Sequence, residues 1–204
     1  MKATDFFLTS FCFASTSKID YFKFMKTLVL ENERVKLSPL KPEHAELLLP
    51  IASQDKLVQY SPSDIDTPAA LNAYISSALK HVEELSAIPF IIFDKQIDAY
   101  AGSTRFMNID WPNKVLHIGS TWIGREFQGT GLNTEVKKLM LSYVFTDLNF
   151  EKVEFRVDER NIRSRKAVEK LGARLEGILR KNVYLLDGFK RNTCCYGILK
   201  EEWG

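Results

Sequence analysis

The chain is poor in the residues from which metal sites, disulfide frameworks and membrane spans are built. Its 204 residues include three cysteines and three histidines. Cys194 and Cys195 are adjacent and Cys12 stands far off, which gives neither a disulfide framework nor the paired C-x-x-C spacing of a zinc site. No metal is expected, and a reducing cytoplasm fits this cysteine usage. An excess of either charge is also missing. The 28 basic and 26 acidic residues leave a formal charge of +2, so no general field points to nucleic acid or a membrane surface as partner. Long apolar runs are absent as well: Phe6-Phe7-Leu8 and Phe11-Cys12-Phe13 are broken by polar residues well short of the ~18 consecutive apolar residues of a membrane helix. Lys2 and Ala14-Ser15 imitate a signal peptide only weakly. Met25-Lys26 reads as an ordinary protein start. Residues 1–24 are therefore expected to be a leader or upstream extension, and residues 25–204 a single domain.

What is present suits a globular core, because 45% of the residues are hydrophobic and 26% charged, enough apolar surface to exclude a disordered chain. From Glu33 the polar-apolar alternation of Arg34, Val35, Lys36 and Leu37 predicts a strand ending at Pro39. A helix follows Pro42-Glu43-His44, and Thr67-Pro68 supplies a cap and first-turn proline for a second, carrying Leu71, Tyr74, Ile75 and Leu79. Phe90 to Phe93, Ala99 to Phe106 and Val115 to Ile123 read as a strand meander. Leu132, Val136, Leu139, Met140, Tyr143 and Val144 recur at helical spacing as far as Leu148. Val153 to Val157 alternates as a strand. Asp158 to Asn161 breaks it and caps a helix with Ser164, Val168 and Leu171 on one face, closed by Gly172. Arg174 to Tyr184 and Arg191 to Leu199 form two last strands around Asp187-Gly188. The order is βααβββαβαββ, with no internal repeat.

Between the third meander strand and the amphipathic helix lies Arg125-Glu126-Phe127-Gln128-Gly129-Thr130-Gly131-Leu132-Asn133. Glycines let backbone N–H groups turn around an anion, and a helix N-terminus behind them adds free donors and partial positive charge. The same letters also suit a plain strand-to-helix turn. An ATP loop lacks its Gly-Lys-Ser/Thr, and a dinucleotide loop lacks its third glycine because Thr134 follows instead.

Taken with Asn161-Ile162-Arg163-Ser164, with Lys170-Leu171-Gly172-Ala173-Arg174-Leu175-Glu176-Gly177, and with the closing strand through Cys195-Tyr196, this loop resembles the GCN5-related N-acetyltransferase (GNAT) superfamily. The resemblance runs from about Leu28 to the end and is strongest to the Rim-type branch, which acetylates ribosomal-protein alanine. It implies an α/β fold with a mixed, mostly antiparallel split sheet flanked by helices, and acetyl-CoA as co-substrate where the strands after Val115 and Val153 part. It further implies pyrophosphate binding by Gln128, Gly129, Thr130, Gly131, Leu132 and Asn133, pantetheine pairing at Trp122 and Ile123, and a hydrogen bond from Asn161, which equally reads as a helix cap. The implied activity is transfer of acetyl to a primary amine by direct attack in a ternary complex.

That reaction needs a neutral amine, an oxyanion donor, for which a backbone N–H in Ile118 to Trp122 is the natural choice, and a proton for the departing thiolate. His117 stands where many relatives carry glutamate and is the candidate base, directly or through water; otherwise water alone serves. Ser164 matches the Rim-type serine and is the candidate acid, or else a backbone partner at its helix start. Glu126 departs from the usual arginine or glutamine, with Arg125 or Gln128 as possible substitutes. Cys194 and Cys195 read as packing in an alternating strand rather than as acyl carriers. The acceptor stays open among protein N-termini, polyamines, amino sugars and small amines. Glu43, Glu46, Asp64 and Asp66 are candidates to attract a cationic one, Tyr60 and Trp111 to line its cleft. A monomer or homodimer is expected. A catalytically silent acyl-CoA sensor and an unrelated phosphate-binding domain are the rival readings.

Overall fold

A computed structural model describes residues 18–204; the leader expected over residues 1–24 lies outside the described residues up to position 17. The first helix, α1 (Lys18–Thr27), brings Met25 into the main core at 1% exposure, with Phe22 and Phe24 packed half-buried beside it. A short hairpin of β1 (Leu30–Glu31) and β2 (Val35–Pro39) follows. Its turn is held by Asn32, whose Oδ1 accepts from the N–H groups of Arg34 and Val35 at 3.0 and 2.7 Å. Both α1 and β1 add to the expected order. Neither was read from the sequence: α1 begins within the expected leader, and β1 is two residues long.

Helices α2 (His44–Ala52) and α3 (Pro68–Glu83) form the next layer. α3 starts as its letters predict: Thr67 Oγ1 accepts from Ala70 N–H at 3.2 Å, Pro68 sits in the first turn, and Leu71, Ile75, Ala78 and Val82 face inward. The meander comprises β3 (Ala87–Asp94), β4 (Ala99–Asp110) and β5 (Val115–Ile123). β3 is buried along nearly its whole length, as expected for a strand covered on both faces. α4 (Leu132–Ser142) continues as a π-helical turn over Tyr143–Asp147, then come β6 (Lys152–Asp158), α5 (Ile162–Glu169), β7 (Arg174–Tyr184) and β8 (Lys190–Leu199). Gly172 lies beyond the last turn of α5 at φ 97°, and the next residue, Ala173, donates to Val168 O at 3.2 Å. Glycine is needed there because L side chains strain at positive φ.

The strands make one mixed α/β sheet in the order β1-β2-β3-β4-β5-β6-β8-β7. All neighbours are antiparallel except β5 and β6, which pair in parallel at only three positions, Val115 with Lys152, Leu116 with Val153 and His117 with Glu154. Beyond His117 the two strands part, and this split positions the site. A core under α1 and α4 lies on one face. A second, of Leu48, Ile51, Leu71, Ile75 and Trp122, lies on the other, under α2 and α3.

Candidate active site

The open end of the split is built by β5 and the turn that follows it. Between the pairs Arg105–Gly119 and Ser103–Trp122 the β4–β5 register slips, so that Ser120 and Thr121 oppose Thr104 alone. Ser120 adopts φ 46°. Such a bulge leaves one residue unpaired and turns its backbone groups away from the ladder. It falls within the Ile118 to Trp122 stretch from which an oxyanion donor was expected.

After β5, Gly129 and Gly131 take φ 80° and 88°, the left-handed region that glycine occupies without strain. No described residue accepts from the N–H groups of Gly129, Thr130, Gly131 or Asn133, whereas Leu132 N–H is already given to Thr130 Oγ1 at 3.3 Å. Four donors thus gather at the start of α4, the arrangement an anion completes. Leu132's side chain is fully buried, and Asn133 Oδ1 is buried without a donor. Gln128 does not face solvent freely: its Nε2 donates to Ile123 O at 2.9 Å and its Oε1 accepts from Arg163 Nη1 at 2.7 Å. The Ile123 carbonyl on the open edge is therefore already engaged. Trp122 is buried, with its indole N–H 3.3 Å from Tyr74 Oη.

Two arginines brace this loop that the motif reading had not assigned. Arg34 donates from Nη1 to Thr130 O at 2.9 Å and from Nη2 to Thr130 Oγ1 and Asp94 Oδ2 at 3.1 and 3.2 Å. Arg163 holds Gln128. The pair Arg125 and Glu126 points elsewhere: Gln54 Oε1 accepts from Arg125 N–H at 2.8 Å, Gln54 Nε2 donates to Glu126 at 3.0 Å, and Arg125 Nη2 bonds Asp55 O. Glu126 is thus tied to the segment after α2, and the cations by the loop are Arg34 and Arg163.

His117 sits at the last paired position before the split. Its Nε2 lies 3.0 Å from Glu154 Oε2 and its Nδ1 3.1 Å from Asn108 Nδ2. With the Asn108 amide donating to Nδ1, the ring proton is on Nε2 and is given to Glu154. Burial holds the imidazole pKa below its usual value, against the opposing pull of Glu154. Burial also works against ionisation of Glu154, but Lys152, His117 and Arg156 outweigh it and keep the carboxyl below its ordinary range. Glu154 went unassigned because nothing in the letters says that β6 pairs with β5 at this register.

At the end of β6, Asn161 Oδ1 accepts from Ser164 N–H at 3.1 Å, capping α5. Its Nδ2 and Ser164 Oγ have no partner among the described residues. Cys194 is buried and its thiol pKa raised by burial; Cys195 Sγ accepts from Arg156 Nη1 at 2.7 Å. Trp111 packs edge-on against Phe150, with centroids 5.4 Å apart, and donates to Leu85 O, which holds it against the main core. Tyr60 lies by the closing hairpin, where its carbonyl accepts from Arg191 Nη1 at 2.7 Å. Among the described residues no group of three or more His, Cys, Asp or Glu side chains is placed to hold a metal.

A split sheet with a donor-lined turn after its central strand is the setting for the decisive comparison: a model of the acetyltransferase (GNAT) domain matches residues 34–174. The chain belongs to the GNAT family. A GNAT relative from Bacillus subtilis (strain 168), provisionally named ribosomal N-acetyltransferase YdaF, is 28% identical over 84% of this chain and 94% of its own length. Spermidine N(1)-acetyltransferase of Escherichia coli (strain K12) is 26% identical over 83% and 88%. Among solved structures, a GCN5-related N-acetyltransferase from Brucella melitensis is 28% identical, with a TM-score of 0.75 over 86% of this chain and 80% of that one. GNAT membership makes the protein an acetyl-CoA-dependent acyltransferase, and the ribosomal name of YdaF agrees with the Rim-like branch read from the motifs.

Two further buried cations of this GNAT chain flank the β4–β5 pair. On the α4 side, Lys137 Nζ lies 2.5 Å from Thr121 Oγ1 and 3.2 Å from Thr104 Oγ1, with no carboxylate beside it among the described residues. Burial lowers its pKa to about 7. On the α2–α3 side, Arg105 is 6% exposed and stacks over Tyr74, its guanidinium carbon 4.6 Å from the ring centre.

Proposed function

We propose that the protein transfers the acetyl group of acetyl-CoA to a primary amine by direct attack in a ternary complex. The supporting observation is the set of four unpartnered N–H groups at Gly129, Thr130, Gly131 and Asn133, one turn of chain from the split after His117 and Glu154. In this reading Gln128 to Asn133 hold the pyrophosphate, and the open edge of β5 at Trp122 and Ile123 lies along the pantetheine arm. Asn161 Nδ2 is the free donor near the thiol. His117 takes the amine proton, directly or through water, once the Asn108 amide releases its Nδ1 lone pair, and Ser164 protonates the thiolate. Holding both reactants in register is the largest contribution such a site makes, about 7–11 kcal/mol in favourable systems. Among the described residues no helix is long and apolar enough to cross a membrane, and a cytoplasmic enzyme acting on a protein N-terminus or small amine is the setting that suits this chemistry.

The occupied Nδ1 favours one alternative, a catalytically silent acyl-CoA sensor. Thiol release from acetyl-CoA over a panel of amines separates the two: tight acetyl-CoA binding with no turnover on any amine leaves only the sensor. The cofactor site has its own test. Gly131→Val forces a β-branched residue to φ 88°, and strain of this kind is worth about 1–3 kcal/mol, so a free loop that relaxes away from this shape should lose acetyl-CoA affinity by about 5- to 150-fold. Unchanged affinity in a folded variant removes the loop from the site.

A further inference from the structure

Arg105 is a buried cation that no carboxylate among the described residues neutralises. Its Nε is shielded from solvent and has no acceptor, and no other N–H of the guanidinium bonds to any described residue. Among the described residues it is the Tyr74 ring that stacks on it, while its Nη groups, unlike Nε, are not shielded from solvent. A guanidinium carries five donors in a planar fork and does not shed its proton, so burial without a carboxylate leaves a standing demand for an anion.

The register places this demand beside the reacting centre. Arg105 pairs with Gly119 and Met107 with His117, so Arg105 and His117 are diagonal neighbours on one face, ~7–8 Å apart in such ladders. Gly119 itself brings no side chain between them, and the flexible Met107 thioether lies over it, 2.9 Å from where a Cβ would stand. Tyr74, over which the guanidinium stacks, gives its hydroxyl to Ser120 O at 3.4 Å, at the bulge itself. The unmatched cation, the candidate base and the open end of the split thus share one floor.

We propose that Arg105 receives a carboxylate of the acceptor, so that the substrate of this enzyme is a small amine bearing a carboxylate one to three carbons from its nitrogen, the class of the amino acids. The inference takes its amine from the acetyl-transfer reading above and its anion from Arg105 alone. A carboxylate docks two oxygens on the fork, which leaves the amine directed along β5 toward His117 and the split. Polyamines, which bring only positive charge, are disfavoured at this position.

The test uses matched pairs, amino acids and their decarboxylated amines, with two readouts. Thiol release gives kcat/KM for each member, and calorimetry gives binding of each to the protein saturated with CoA. The carboxylated members should be preferred, and Arg105→Leu should cut their kcat/KM by about 100-fold, leave the bare amines within a few-fold, and leave CoA affinity unchanged. Arg105→Lys should restore part of the preference. A wild-type protein that binds no carboxylated amine, a preference that survives Arg105→Leu, or a loss of CoA affinity in that variant overturns the inference. Carboxylated amines that bind through Arg105 without turnover uphold it and remove acetyl transfer instead.

Discussion

Lys137 and Arg105 sit on opposite faces of the same strand pair, both at most 6% exposed, and meet burial in different ways. Lys137 is surrounded by hydroxyls that either give or take a proton: Thr104 and Thr121 lie 2.7 Å from each other and both contact Nζ. An ammonium can become an amine in such a place, and the lowered pKa of about 7 expresses that. Arg105 has no equivalent escape, because guanidinium stays charged at any pH a folded protein experiences. Its compensation among the described residues is the Tyr74 ring, worth about 0.5–2 kcal/mol. The difference separates a cation the fold can neutralise from one that waits for a ligand.

Removing Lys137 should give the largest change. Its pKa is lower folded than unfolded, so the unfolded chain binds the extra proton between pH ~10 and ~7, and stability contributed at this site rises with pH through that window. Lys137→Met should therefore stabilise the protein by ~3 kcal/mol at pH 6, shrinking to within ~1 kcal/mol near pH 10. Denaturant titrations at the two pH values measure the difference, and an equal effect at both would show that Nζ stays charged.

Removing Arg105 should matter less and show no such pH dependence. Arg105→Leu loses the Tyr74 contact but also an unpaired buried charge, and a net gain of about 1–2 kcal/mol is expected in the free protein. A thermal melt reads it. Destabilisation by a similar amount would mean that the arginine supports the fold, which erases the contrast with Lys137.

How much of this was legible beforehand follows from the range of each interaction. β5 and β7 were predicted to the residue, and the α3 start followed from Thr67-Pro68, because strand alternation and caps are written within a few positions. The Gly129–Gly131 turn and the Asn161 cap were legible for the same reason. β1 was too short to show a period, and the insertion of β8 between β6 and β7 leaves no local mark. The site was missed where it depends on register. Glu154 meets His117 only because β5 and β6 run parallel for three pairs, Arg34 reaches Thr130 across 96 residues, and Arg105 lies in a strand segment where no motif marks it. Its lack of a partner is a property of everything packed around it. Lys137 fell in a helix whose other inward positions, Leu132, Val136 and Met140, are apolar, and a lysine one place along is normally read as solvated.

The smallest effect expected concerns His117, which stands between the two cations because it is half-buried and paired. Burial lowers the His117 pKa, Glu154 raises it, and Arg156 and Lys152 lower it. Glu154→Gln takes away the one raising influence and keeps the shape, so the imidazole should lose its proton at lower pH still. If neutral His117 works on the acceptor, the acid limb of the pH–rate profile in kcat/KM should move down by up to about one unit, with the plateau changed only a few-fold. The same sign appears in stability. A histidine whose folded pKa lies below its unfolded value loses stability as pH falls through the usual imidazole range, and the variant should lose more there than the parent. An acid limb that stays in place while this stability difference appears would assign Glu154 to the His117 ring and leave proton removal to water.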